Sequence, residues 1–482
     1  MNRSVEHPEW GPGFREYTMT FEHRLHTAFK RYVGEEEIII DASRDLIPLP
    51  LLETTLAVGE NMHVVGFQTG DRIFPTLINT IKKYTAIFSG CIFERYYGFL
   101  CIRHLVRMVC IGILTKGGIF EGVLDRLNSN LPWVHLLGVL SDATLLYMWG
   151  YLEKYDQNMV FLNGPLFLDD TALDLDDAKF LLVLLWNDRA SIIPLRAQDA
   201  LPGLPALILV LSQFIGHNPS LEIKINPDWL RIQDISLRCY FGCLEVFEDT
   251  TEERYVIEQI NGFTLNLFSK HKVHIMDTYQ VWFAVDDDDA RRVVEMYSNL
   301  PEPYYPRTPL LLSHVVLLWV FGLLRNPNTR RPALDELAAS VFKTALALLQ
   351  LEIDEDLKDL MSEYTRALMI VSTYETIEQI VAFGSSKPKP EVRDNFLKTL
   401  IESDICGIIG RVLTLITRET GILLMLLRSS RMILTSRKTN HVIGDPFLIQ
   451  SLSSGNSSVN INAFLLLMEI LFNMSGPNSC FI

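Results

Sequence analysis

The chain has 482 residues, 48% of them hydrophobic and 21% charged, with a formal charge of −15. That composition excludes disorder for most of its length. A net acidic chain without a basic tract is also a poor match to nucleic acid held through phosphate. At this length the sequence holds two or three domains or one extended array.

The opening segment, MNRSVEHPEWGPGFREY, has no apolar core of signal-peptide length. The seven cysteines, Cys91, Cys101, Cys110, Cys239, Cys243, Cys406 and Cys480, sit mostly in apolar runs. They read as buried free thiols in a reducing compartment, so a cytoplasmic protein is expected, with the nucleus as the alternative. Ile38, Ile39 and Ile40 give the first strand signal. FLCIRHLVRMVCIGIL, 99–114, reads as a core helix; Cys101 or Cys110 beside Arg103, His104 and Arg107 is its one opening to thiol chemistry. Gly112–Gly118 resembles a phosphate loop until the lysine is due, where Gly118 stands, so a glycine hinge between helices is expected.

Further along, Asp169, Asp170, Asp174, Asp176 and Asp177 precede KFLLVLLW. No glycine sits where a calcium loop needs it, so they read as a helix start. Ala200–Leu221 is apolar but broken by Pro202, Pro205, Gly216 and Pro219. Its helical part is about a dozen residues, too short to cross a bilayer. Pro205 and Pro332 fall where a first helical turn accepts proline. Cys239 and Cys243 share a helix face at i, i+4, and two thiols alone make no zinc site. His271 and His274 could offer two metal ligands but lack matched companions, so no metal and no cofactor is expected.

KHKVHIMDTYQVWFAV, 270–285, supplies the second strand signal, a minor strand or hairpin. Asp286–Asp289 then read as another helix start, with Asp287–Arg291 and Asp288–Arg292 at ion-pair spacing. NLPEPYYPRTP, 299–309, carries four prolines and is the clearest boundary. It divides an N-terminal helical region, 1–298, from a C-terminal one, 310–482. One continuous superhelix is the alternative. Pro309–Leu324 is apolar and falls just short of a membrane span, so a buried core helix is expected.

Helical periodicity dominates the rest. Ile405, Ile408, Ile409, Val412, Leu413 and Ile416 line one helix face. Strands do not alternate with helices at parallel-sheet spacing, so the expected class is all-α, with α/β as runner-up. VRDNFLKTLIESDICGIIGRVLTLITRETGILLMLLRSSRMIL, 392–434, and FLIQSLSSGNSSVNINAFLLLMEIL, 447–471, each read as a short helix, a turn and a longer apolar helix. Aligning Ile408-Ile409 with Leu448-Ile449 gives an offset of 40, and Met425 with Leu466 gives 41.

LIESDICGIIGRVLTLI resembles the armadillo passage in which a residue pair ends one helix and an L-x-x-L-L helix begins the next. FLIQSLSSGNSSVNINAFLLLMEIL resembles the armadillo segment L-L-x-S, a turn, then V-x-x-x-A, with Val459 and Ala463 at the matching spacing. DALPGLPALILVLSQFIGHNP, 199–219, and PWVHLLGVLSDATLLYMWGYL, 132–152, resemble the same opening more faintly. The usual glycine is missing at Ser403-Asp404, and only Asn473 approaches the peptide-binding asparagine. The whole chain is also similar in texture to fungal proteins of no assigned activity.

The armadillo resemblance implies a right-handed superhelix of stacked helix pairs, clearest over 392–482, in a non-enzymatic scaffold for protein partners. No nucleic acid and no membrane span are expected. Arg428, Arg431, Asn462 and Asn473 are the expected partner-binding positions. Two other readings stand beside it. One is an enzyme whose dispersed site gathers groups such as His104, Arg107 and Asp142; the other is a membrane-associated protein using Pro309–Leu324.

Overall fold

The computed structural model describes residues 6–33, 46–59, 73–126, 136–154, 167–168, 173–216, 227–245, 251–270, 286–299, 310–325, 332–354, 363–387, 389–403 and 405–418. These residues are all-α, as the periodicity leads one to expect; the β-type pairing among them is limited to the isolated bridges His7–Gly11 and Gly13–Arg95. Both strand signals, 38–40 and 270–285, lie outside the described residues but for Lys270. The chain divides into two compact units, Met1–Thr264 and Leu265–Ile482.

In the first unit the helices are α1 (Phe14–Val33), α2 (Leu49–Gly59), α3 (Ile73–Ile87), α4 (Tyr96–Lys116), α5 (Phe120–Arg126) and α6 (Leu136–Leu152). They continue with α7 (Leu175–Asn187), α8 (Ile192–Ala197), α9 (Leu204–Gly216), α10 (Pro227–Glu245) and α11 (Thr251–Lys270), which runs across the division. The unit is built round α4. That helix is apolar nearly all round, so it must be covered on every side. The helices α2, α3, α6 and α9 cover it. It is long and apolar enough to cross a membrane, and 89% of its apolar window is buried inside the unit. A second group, α7 to α10, packs on itself and meets the first through α9.

The expected helix boundaries are largely observed. Asp174 caps α7 by accepting from the Asp177 backbone N–H at 2.7 Å, and Asp176 and Asp177 lie in its first turn, against the positive end of the helix dipole. Asp169 and Asp170 lie outside the described residues. Asp174→Ala removes that acceptor without touching the core, and the unit is expected to lose about 1 kcal/mol of stability, measured by urea unfolding. Gly117 and Gly118 join α4 to α5 as the hinge; Gly118 takes φ +67°, a conformation that suits glycine. Pro205 and Pro332 sit in first helical turns. The thiols need one correction: Cys101, Cys110, Cys239 and Cys243 are buried and free, but Cys91 is exposed, in the loop before α4.

The second unit contains α12 (Asp287–Ser298), α13 (Leu310–Arg325), the short α14 (Pro332–Asp335), α15 (Ala338–Asp354), α16 (Glu363–Ser385), α17 (Pro390–Glu402) and α18 (Ile405–Arg418). Asp286 caps α12 through the Asp289 N–H at 2.8 Å, and Arg291 pairs with Glu295 at 3.1 Å. Residues 300–309, most of the proline-rich stretch, lie outside the described residues. The division falls ahead of that stretch because α12 packs on α13 and α15, which follow it.

Two packed helix pairs emerge, α12 with α13 and α15 with α16, followed by the consecutive helices α17 and α18. The pair α15 and α16 packs on α12 and α13 on one side and on both α17 and α18 on the other. Phe321 meets Phe383 edge-on between α13 and α16, and Phe342 meets Phe396 between α15 and α17. Lys387 reaches Asp335 at 2.7 Å. The break between α17 and α18 falls at Ser403-Asp404, where the sequence placed it. Ile405, Ile408, Ile409 and Val412 are buried on one face of α18. α13 is 16 residues long, and Val315–Val320 is buried apart from Leu318.

Candidate functional site

His104 and Arg107 come together as the sequence suggested, but against a helix end. The His104 Nε2–H donates to the Leu52 carbonyl at 3.0 Å, and Arg107 donates to the Leu56 carbonyl at 3.2 Å and to His104 Nδ1 at 3.3 Å. Leu56 lies in the last turn of α2, where the helix dipole is negative and the Arg107 cation is favoured, while Leu52 lies one turn earlier. Burial, and then the Arg107 charge, push the imidazole down to about 3. It is therefore neutral, with one nitrogen donating and the other accepting, and it tethers α4 to α2. Asp142 stands exposed on α6.

The described thiols on helices are all buried. Burial raises Cys101 and pushes Cys110 up to about 12, so both remain protonated at neutral pH. Cys239 and Cys243 share one face of α10, as their spacing requires, and burial raises both. No group of three or more His, Cys, Asp or Glu suited to a metal occurs among the described residues. His271, His274, Arg428, Arg431, Asn462 and Asn473 lie outside them.

Two clusters lie beyond what the sequence indicated. The first is a buried ionic core around α10. Asp234 pairs with Arg189 at 3.1 Å and with Arg238 at 3.3 Å. Arg196 grips Glu253 with one nitrogen at 2.7 and 2.8 Å and donates to the Leu201 carbonyl at 2.9 Å. Asn261 donates to Ser236 Oγ at 3.0 Å. Gly242 lets α8 come this close, since a Cβ there would lie 2.2 Å from Arg196 Cβ. Buried charges persist only when paired, so this cluster fixes how α8, α10 and α11 meet.

The second cluster is on the surface, where α6 meets α11. Leu146 and Trp149 lie along one face of α6, and Glu153, just past its end, continues the same i, i+3, i+7 spacing. Trp149 donates its indole N–H to Glu153 at 2.8 Å. Its ring stands 5.7 Å from that of Tyr255, tilted by 45°. Leu146 is 55% exposed beside it. Glu258 follows Tyr255 by one turn of α11, and Glu153 and Glu258 both act electrostatically on the Tyr255 hydroxyl. Among the described residues burial alone acts on the Glu258 carboxyl, pushing it up to about 8.

The clusters differ in kind. Every ion of the first is answered within the fold. In the second, Glu153 is exposed, and Trp149, Tyr255 and Glu258 are partly exposed. A strongly perturbed carboxyl at a partly open position is a mark of functional sites. Sequence reading missed it because nothing local links Trp149 to Tyr255; only the i, i+3, i+7 pattern of Leu146, Trp149 and Glu153 was there to be seen. Compared with protein families, with curated proteins and with solved structures, the chain matches none.

Proposed function

We propose that this chain is a non-enzymatic scaffold for protein partners, acting in the cytoplasm or nucleus. Its C-terminal unit is read as a stack of helix pairs of the armadillo or HEAT kind, wound into a right-handed superhelix. One observation carries the reading: taken two by two along the chain, the helices of the second unit stack, with α15 and α16 packing on α12 and α13 before them and on α17 and α18 after them. Such stacks leave long faces of each pair uncovered, and extended binding surfaces follow from that. The pairs begin at Asp287, Ala338 and Pro390, a spacing of about 50 residues, longer than the common armadillo length of about 40. The offset of 40 to 41 read from the sequence involves residues beyond Arg418, outside the described residues.

The test is affinity capture from native lysate with the full chain. Beside it runs a full-length variant carrying Arg428→Ala, Arg431→Ala, Asn462→Ala and Asn473→Ala. The expected result is a near-stoichiometric partner on the parent chain, reduced several-fold on the variant. Loss of interface side chains acts mainly by speeding dissociation, so the difference should widen with washing. No stoichiometric partner on the parent chain overturns the scaffold reading. Equal capture by both chains moves the surface away from these four residues.

A further inference from the structure

We infer that the corner formed by Trp149, Tyr255, Glu153 and Glu258 is a docking site for a basic side chain, a lysine or arginine presented by a protein partner. The inference rests on the reading of the chain as a protein-binding scaffold and names one chemical feature of what it binds.

The geometry supplies both halves of a cation site. Trp149 and Tyr255, in ring contact at 5.7 Å and tilted by 45°, form one partly exposed aromatic surface. Aromatic faces carry negative quadrupole density that attracts a cation within about 6 Å. Glu153 is exposed and anchored to the Trp149 indole, so its carboxylate is held at the rim of that surface. Glu258 stands one helical turn beyond Tyr255, half-buried. Leu146, exposed one turn before Trp149, offers a shelf for the methylene stem that lysine and arginine carry behind the charge.

Charge complementarity selects the occupant. Elsewhere in the described structure aromatic faces already hold cations: Arg189 over Trp186, Arg103 over Phe21 and Lys387 over Phe383. Over Trp149 and Tyr255 the described residues place none. An anion would meet the Glu153 carboxylate here, and a purely apolar partner would strand it without compensation. A basic side chain satisfies the rings and the carboxylate together. Glu258 also gains a cation at its half-buried carboxyl, which among the described residues burial alone perturbs.

The test is fluorescence anisotropy of a labelled, blocked octapeptide of alternating lysine and serine, titrated with the full chain. Three variants run beside it. Glu153→Gln with Glu258→Gln removes both carboxyls. Trp149→Ala removes a ring. Glu22→Gln with Glu121→Gln removes two exposed charges elsewhere in the same unit, matching the change in net charge. The expected result is saturable binding by the parent chain and by the Glu22/Glu121 variant, with affinity about tenfold lower in the other two.

Tyr255→Phe keeps the ring and should bind within about twofold of the parent, because the face and not the hydroxyl receives the cation. No binding by the parent chain overturns the inference. So does equal weakening in all the charge variants, which would show attraction by the overall charge of −15 and no defined site. These outcomes are independent of lysate capture. A scaffold whose partner lacks a basic contact retains its partner and fails here.

Discussion

Asp234→Asn is expected to cost the N-terminal unit about 3 kcal/mol or more, the range seen when one partner of a buried ion pair is removed. Asp234 is fully buried on α10 and stands between two guanidiniums, Arg189 at 3.1 Å and Arg238 at 3.3 Å. Asparagine keeps the volume and the hydrogen-bonding shape, so packing is undisturbed. What changes is charge: two buried cations lose the anion they share. Arg189 keeps its stacking over Trp186 and its bond to the Trp186 carbonyl, and Arg238 its 3.4 Å contact with the Arg189 carbonyl, so partial compensation survives.

Urea unfolding followed by circular dichroism measures the loss as a lower midpoint for the first unit. Arg189→Met with Arg238→Met in the Asp234→Asn background should recover much of it, because removing the whole ionic group also removes the cost of burying it. A midpoint unchanged by Asp234→Asn alone would mean that water reaches this cluster.

How much of this the sequence carried depends on range. Features set within one helical turn were legible. Asp174 and Asp286 cap their helices because a carboxylate three residues ahead of an orphan N–H satisfies it locally. The apolar residues at 405, 408, 409 and 412 are buried together because 3.6-residue periodicity puts them on one face.

Features set by distant residues were not legible. Arg196 meets Glu253 across 57 positions, and each alone looks like a solvated surface charge. His104 looked like chemistry in waiting, and only the fold shows its two nitrogens bound to Leu52 and Arg107. The proline-rich 299–309 reads as a boundary from backbone restriction alone. Yet the units are divided by packing, and α12 packs with the helices that follow it.

The same contrast applies to the surface corner. The pattern of Leu146, Trp149 and Glu153 marks a helix face. Only the approach of α11 turns it into a site, by placing Tyr255 opposite. Where local pattern and tertiary contact agree throughout, a region is structural. Where a carboxyl is held protonated by burial, as Glu258 is, tertiary contact has overridden what the local pattern gives.

Glu258→Gln is therefore expected to stabilise the protein, and to do so in a defined pH window. The Glu258 carboxyl ionises near its ordinary value of 4.5 in the unfolded chain and at about 8 in the folded one. Between those values folding takes up a proton, so this group's contribution to stability is greatest below about pH 4.5. It is lost progressively as pH rises toward about 8 and is constant above that. Glutamine carries no such proton. The variant should match the parent near pH 4.5 and exceed it increasingly up to pH 8.

The expected gain there is on the order of 2 kcal/mol, since one pKa unit is worth about 1.4 kcal/mol and the half-buried carboxyl is partly screened. Denaturant midpoints of both chains at pH 4.5, 6, 7 and 8.5 give the difference directly, and other titrating groups cancel in it. Parallel curves would show that burial does not perturb Glu258. Divergent curves would show that the fold keeps a glutamate where glutamine is more stable. On the inference drawn above, a basic side chain seated against Trp149 and Tyr255 would draw the proton off Glu258 and return in affinity what the free protein loses in stability.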